Sequence, residues 1–143
     1  MVKKKTVVVD FDGVLHWYRE GWGDGTIYDE PVPGAAEAMK RIQEMGYCVV
    51  VCSSRATERT VNGKFQYSQA KEIIAWLDKH KIPYNSLADE KEGKPMAVAY
   101  IDDRAVRFEG DWTEALANIA KKPWNFKWPI SAPTDPSIAP HEV

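Results

Sequence analysis

Thr6-Val7-Val8-Val9-Asp10-Phe11-Asp12-Gly13-Val14 is the stretch from which the rest of the chain can be read. A continuous β-branched run fits a strand buried on both faces, as in a parallel sheet, and the Asp-Phe-Asp-Gly that closes it breaks the strand at a glycine. Asp10 and Asp12 are two residues apart, so at the end of an extended segment their side chains point the same way while Phe11 turns into the packing.

The pattern recurs downstream. A Gly-rich stretch without helical period covers residues 13–30. A helix follows: Pro33 suits its first turn, Ala35, Met39, Ile42 and Met45 form an apolar stripe, and Gly46 suits the position past its end. Residues 47–52 read as a second buried strand, closed by Ser53-Ser54-Arg55. Residues 66–81 read as an amphipathic helix through Ala70, Ile73, Ile74 and Leu77, and residues 82–84 as a short third strand. Residues 97–101 read as a fourth strand ending in Asp102-Asp103, with residues 106–108 as a possible fifth. Asp111, followed three residues later by Glu114, opens a last helix that stops at Pro123. Strands alternating with helices predict a doubly wound, three-layer Rossmann-like α/β domain with a central parallel sheet.

Composition agrees with one globular unit. The chain has 143 residues, 28% charged and 44% hydrophobic, with a formal net charge of −2. A chain of this length buries roughly 70% of its unfolded surface and needs no disulfide or metal staple. It has no run of eighteen apolar residues, so no membrane span is expected. The N-terminus begins like a signal peptide, but its apolar run stops at Asp10, which predicts a cytoplasmic protein. Cys48 and Cys52 lie about 13 Å apart along one strand, too far for a disulfide, and read as two core thiols. The near-neutral charge argues against a broad electrostatic grip on nucleic acid while leaving room for a local basic rim.

In a doubly wound sheet, ligands bind at the carboxyl ends of the strands, where strand order reverses. Those ends here hold Asp10, Asp12, Ser53, Asp102 and Asp103. Two carboxylates about 4 Å apart repel by about 4 kcal/mol even at an effective dielectric of 20. A cluster of up to four calls for a divalent cation, and oxygen-only ligands favour Mg²⁺ over Zn²⁺. No Gly-x-x-x-x-Gly-Lys-Ser/Thr loop follows a strand, which disfavours a phosphate-loop nucleoside triphosphatase. A receiver domain would carry its phosphorylated aspartate after the third strand, where residues 82–85 offer none.

The residues carry a family resemblance. Residues 7–14 resemble the first motif of the haloacid dehalogenase superfamily, a hydrophobic strand followed by Asp-x-Asp-Gly-Thr/Val. Val51-Cys52-Ser53 resembles its second motif, Lys94 its third, and Tyr100-Ile101-Asp102-Asp103 its acidic fourth, so the likeness spans roughly residues 6–112. The resemblance implies a catalytic domain over residues 1–122 that hydrolyses phosphomonoesters. In it Asp10 is the nucleophile that forms an aspartyl-phosphate, and Asp12 is the general acid and then base. Mg²⁺ would be held by Asp10, Asp12 through its backbone carbonyl, Asp102 and Asp103, with Asp103 the likelier direct ligand of the last pair. Ser53 would hydrogen-bond the phosphoryl group, and Lys94 would offset its charge. Lys91, earlier in the returning loop, is the other candidate for that lysine. Ser54 and Arg55 are substrate-binding candidates, and Arg55, Arg59 and Arg104 fit an anionic rim. The competing reading is a non-catalytic phosphate- or nucleic-acid-binding module on the same scaffold.

Members of this superfamily often carry a cap domain after the first or third strand. The corresponding gaps here, about twenty residues before Pro33 and about ten before Pro95, hold none. The site would be covered only by a flap over about residues 14–32. Its Trp17, Tyr18, Trp22 and Tyr28 could stack on a base or sugar, with Arg19 near a second phosphate; the other reading is that Trp17 and Trp22 pack the flap onto the body. Ile101-Asp102-Asp103-Arg104 with Ser53-Ser54-Arg55 is similar to the phosphatase domain of phage-type polynucleotide kinases, and small sugar-phosphate and nucleotide phosphatases share the segment. A small phosphate ester and a nucleic-acid end are therefore both candidate substrates. The tail, residues 123–143, is rich in Pro and Trp and is expected to pack Trp124, Phe126 and Trp128 on the body or on a second subunit.

Overall fold

In the computed structural model, which describes residues 4–89, 91 and 93–121, the chain is an α/β fold with a four-stranded parallel sheet flanked by helices, compatible with a Rossmann-like fold. Strand β1 (Thr6–Asp10) pairs with β2 (Cys48–Cys52) from Thr6 opposite Cys48 to Asp10 opposite Cys52. On its other side β1 pairs with the last strand, β6 (Ala99–Ile101), Val9 opposite Ile101. A short strand, β5 (Ser86–Leu87), pairs with β2 and gives the order β5-β2-β1-β6. The chain therefore moves outward from β1 through β2 and β5, then returns to pair with β1 from the other side. That reversal places the ligand-binding crevice between the carboxyl ends of β1 and β6.

The core follows the two-residue period of the strands. Val7 and Val9 of β1 lie on one face with Val49 and Val51 of β2, and Phe11 continues that face beyond the strand. Ala35 and Met39 of α1 (Ala35–Glu44) and Ile73, Trp76 and Leu77 of α2 (Ala70–Lys79) close over it. The last helix, α3 (Trp112–Ala120), starts as the capping pattern predicts, with the Asp111 carboxylate accepting from the N–H groups of Thr113 and Glu114.

Several expected elements differ. Met45 lies past the end of α1 and is 59% exposed, so the stripe ends at Ile42. The second helix begins at Ala70 rather than at residue 66, because the preceding segment is an antiparallel hairpin of β3 (Arg59–Val61) and β4 (Lys64–Gln66). Its turn is Asn62-Gly63, both at positive φ (52° and 78°), the conformation that matches the twist of paired strands. Residues 82–84 form no strand: the Ile82 N–H bonds the Leu77 carbonyl and closes the end of α2, and pairing with β2 waits until Ser86. Residues 106–108 are irregular. Cys48 and Cys52 are only partly buried, since they point away from the face that holds Val49 and Val51. Among the described residues no helix is long and apolar enough to cross a membrane. The tail at 123–143, and the oligomer expected through it, lie outside the described residues.

Phe11 is fully buried, edge-on to Trp76 at 5.1 Å and stacked on His16 at 5.4 Å. Phe11→Ala is expected to cost about 3–5 kcal/mol in urea denaturation; a loss below about 1 kcal/mol would show that the site's floor does not depend on this ring.

Candidate active site

The site grows from the end of β1. Asp10 is its last residue, and the chain then turns sharply: the N–H groups of Leu15 and His16 both donate to the Phe11 carbonyl at 2.9 Å. Gly13 has φ 82°, and a Cβ there would overlap the Asp103 carboxylate. Glycine is needed twice at this position, for the turn and for the approach of Asp103.

Asp10, Asp102 and Asp103 each offer a carboxylate oxygen within 4.8 Å of the others. Burial, only partly countered by a hydrogen bond from the Phe11 N–H, pushes the Asp10 carboxyl up to about 7, with repulsion from Asp102, Asp103 and Asp12 adding to it. Burial also raises Asp103, again with repulsion from Asp102. Asp103 Oδ1 is buried without a hydrogen-bond partner. An orphaned carboxylate oxygen beside two others fits a hard divalent cation, which would relieve all three.

The fourth carboxylate does not join them. Asp12 Oδ1 accepts from His16 Nδ1 at 2.8 Å and Oδ2 from Arg55 Nε at 2.6 Å. Three carboxylates converge, not four, because buried donors hold the Asp12 side chain apart. His16 is fully buried and its Nε2 accepts the Asp29 N–H at 3.0 Å, which puts the ring proton on Nδ1. Arg55 is 1% exposed, and its Nη1 donates to the Gly25 carbonyl at 2.8 Å and to Gln69 Oε1 at 3.1 Å. Expected at a substrate rim, Arg55 instead stands behind Asp12 and ties it to the flap and α2.

A cavity of about 310 Å³ opens in front of Asp10 and Asp12, with Ser53, Ser54 and Asp102 on its floor and Tyr18, Trp22, Arg59, Val61 and Arg104 around it. Ser53 is buried at the end of β2, its Oγ accepting the Arg55 N–H, and Ser54 is exposed. Lys94 is not among the lining residues. It precedes β6, on the entry side of that strand, and its Nζ rests 4.9 Å from the Tyr100 ring centroid. Lys91 follows the carboxyl end of β5 but does not line the cavity either. Arginines take up the cationic positions instead: Arg59 from β3 and Arg104 from the loop after β6.

The flap is pinned rather than loose. Arg19 grips the Asp29 carboxylate through its backbone N–H, Nε and Nη2 at 3.0, 3.1 and 2.7 Å. Burial would raise Asp29, but these bonds outweigh it and hold the carboxyl down at about 2. Arg19 is therefore committed within the flap and not to a second phosphate. Trp17 is buried beneath it, the Arg19 guanidinium 4.1 Å from the ring centroid. Trp22 is also engaged: Arg55 and Arg59 lie 4.5 and 5.1 Å from its centroid, and a Cβ at Gly25 would come within 2.8 Å of the ring.

Comparison with known proteins leaves the family open. No family model matches the chain, and no curated protein matches it. Two solved structures are similar. One, "Structure of the conserved protein coded by locus from Bacteroides thetaiotaomicron", is 24% identical over 83% of this chain and 92% of that one, with a TM-score of 0.49. The other, "Structure of Pnkp1/Rnl/Hen1 complex", is 20% identical over 66% of this chain and 32% of that one, with a TM-score of 0.42. Likenesses at this level carry no argument about function, so the chemistry rests on the site itself.

Two partners of Asp12 were not foreseen. His16 follows it by four residues across the Gly13 turn, a spacing that could have signalled the contact; Arg55 is 43 residues away, and no local pattern announces it. Nitrogen-resolved spectra are expected to show His16 protonated at Nδ1; an Nε2-protonated ring would overturn the bond to Asp12. The Asp10 carboxyl makes a second prediction. Its pKa is higher folded than unfolded, so between pH 4 and 7 the folded state keeps a proton the unfolded state has lost, and stability falls as pH rises. In chelator, the melting temperature should be lower at pH 8 than at pH 5, Asp10→Asn should abolish most of the drop, and Mg²⁺ should restore the wild type at pH 8.

Proposed function

We propose that this chain is a Mg²⁺-dependent phosphatase of the haloacid dehalogenase type, three-layered and without a cap. It would hydrolyse phosphomonoesters, whether a sugar phosphate, a nucleotide or a nucleic-acid end, through an aspartyl-phosphate on Asp10. The observation that carries this reading is the division of labour among four carboxylates at one sheet edge. Three converge with an orphaned oxygen, and the fourth, two residues after the first, is held apart by two donors and faces the same cavity.

Asp10, Asp102 and Asp103 would hold the cation. Bound there, Mg²⁺ supplies neutralisation of the phosphoryl oxygens and of the carboxylates themselves. An Asp10 oxygen attacks phosphorus, the new O–P bond forms as the ester O–P bond breaks, and Asp12 gives the departing oxygen a proton. Each Asp12 oxygen accepts one hydrogen bond and keeps one lone pair uncommitted, through which a proton would be handed on. With the alcohol gone, Asp12 is a carboxylate again and takes a proton from water, which attacks the aspartyl-phosphate and releases phosphate. Ser53 is the residue after Cys52, which pairs with Asp10 across β1 and β2, and it lines the same cavity. Among the described residues the insertions beside the site are the flap between β1 and α1, which holds no helix or named strand, and the 59–66 hairpin.

The test is hydrolysis of an aryl phosphate. Wild-type protein with Mg²⁺ should turn it over and chelation should stop it. Asp10→Asn should remove turnover, and Asp12→Asn should lower kcat by about 10²–10⁴-fold. Turnover retained in folded Asp10→Asn would overturn the nucleophile.

A further inference from the structure

Two arginines in the cavity wall form no ion pair among the described residues. Arg19, Arg55 and Arg107 are each ion-paired, with Asp29, Asp12 and Glu109. Among the described residues, neither Arg59 nor Arg104 has a carboxylate partner at ion-pair distance, yet both line the cavity. They come from opposite sides of β1: Arg59 from the hairpin that follows β2, Arg104 from the loop that follows β6.

Arg59 is held in place without an ion-pair partner among the described residues. Its guanidinium lies against Trp22, and its Nε is buried without a hydrogen-bond partner. Burial and then the nearby Arg55 charge push its pKa down, and Asp12 and Tyr18 offset this only in part. Arg104 is anchored through its backbone, whose N–H donates to Asp102 Oδ1 at 2.7 Å and sets the start of its side chain at the cavity edge.

Size and surface limit what these cations are for. At roughly 30 Å³ per water-sized atom, a phosphoryl group with its ester oxygen fills about half of the cavity. The remaining space is bounded by guanidinium groups, whose planar forks suit phosphate oxygens. Trp22, which might have stacked on a ring, already carries two arginines and Gly25. Selection in this half of the cavity is by charge.

Resting on the phosphatase reading above, we infer that the site prefers phosphomonoesters bearing a second phosphoryl-type anion, either another phosphomonoester or a phosphodiester, and that Arg59 and Arg104 bind that second group.

The test uses two matched substrate pairs with Mg²⁺: ribose 5-phosphate against ribose 1,5-bisphosphate, and a nucleoside 3′-phosphate against a dinucleotide ending in a 3′-phosphate. At least one pair should favour the second-anion member by about tenfold or more in kcat/KM. The preference should shrink in 1 M salt and fall below about threefold in the Arg59→Ala/Arg104→Ala protein. Arg41→Ala, on the exposed side of α1, should keep it. The pair that responds identifies the source of the second anion. Equilibrium binding of the same ligands to Asp10→Asn protein in Mg²⁺ separates this inference from the reading it rests on. A binding preference without wild-type hydrolysis would sink the phosphatase and leave the inference standing. Equal binding and equal turnover within both pairs, or a preference that survives the double variant, would overturn the inference.

Discussion

The Arg55–Asp12 ion pair is the contact on which the site depends. A guanidinium 1% exposed to solvent needs acceptors for its donors, and Nε and Nη1 of Arg55 reach three parts of the chain, while Nη2 is buried without a hydrogen-bond partner. Nε reaches the turn after β1, and Nη1 reaches the flap at Gly25 and the start of α2 at Gln69. The backbone is drawn in as well, since the Arg55 carbonyl accepts the Gln69 N–H at 2.7 Å and the Arg55 N–H bonds Ser53. One side chain thus fixes the orientation of Asp12, the seat of the flap and the position of Ser53.

The opposite problem occupies the other half of the site. Asp10 and Asp103 sit where burial and repulsion from neighbouring carboxylates both oppose ionisation, and among the described residues no arginine or lysine forms an ion pair with Asp10. A fold does not accept such a cluster for stability's sake, because it destabilises the native state wherever the groups are charged. The arrangement has a physical rationale as a receptor for positive charge, with Gly13 giving Asp103 room to approach. His16 and Arg55 keep Asp12 out of that receptor and leave it facing the cavity.

Much of the scaffold was legible. The valine runs of β1 and β2, the stripe of α1 through Ile42 and the Asp111 cap of α3 depend on residues within a few positions of one another, which is the range over which period and capping act. The acidic pairs at the ends of β1 and β6 were legible for the same reason. The hairpin was overlooked although Asn62-Gly63 between short β-favouring segments is a turn signal, because Gln66 was absorbed into the helical pattern of α2. The third strand was set too early because Ile82, apolar and buried, serves the end of α2 and not the sheet. Lys94 precedes β6, which starts at Ala99, and so stands on the entry side of that strand, a placement set by the sheet and not by any local pattern.

By itself the sequence determined which chemistry stands at the strand ends: carboxylates after two strands, a serine after a third, and a glycine where the first strand turns. Those are local properties, set by side-chain period, β-branching and the conformational freedom of one residue. Only the tertiary structure decided how the groups are divided. Three carboxylates converge and one is withdrawn, Arg55 lies behind Asp12 while Arg59 and Arg104 face the cavity, and the flap aromatics carry arginines. Each of those outcomes joins residues distant in the chain, and their contacts are set by the crossover that returns β6 to β1 and by burial that leaves every charge to find, or to lack, a partner.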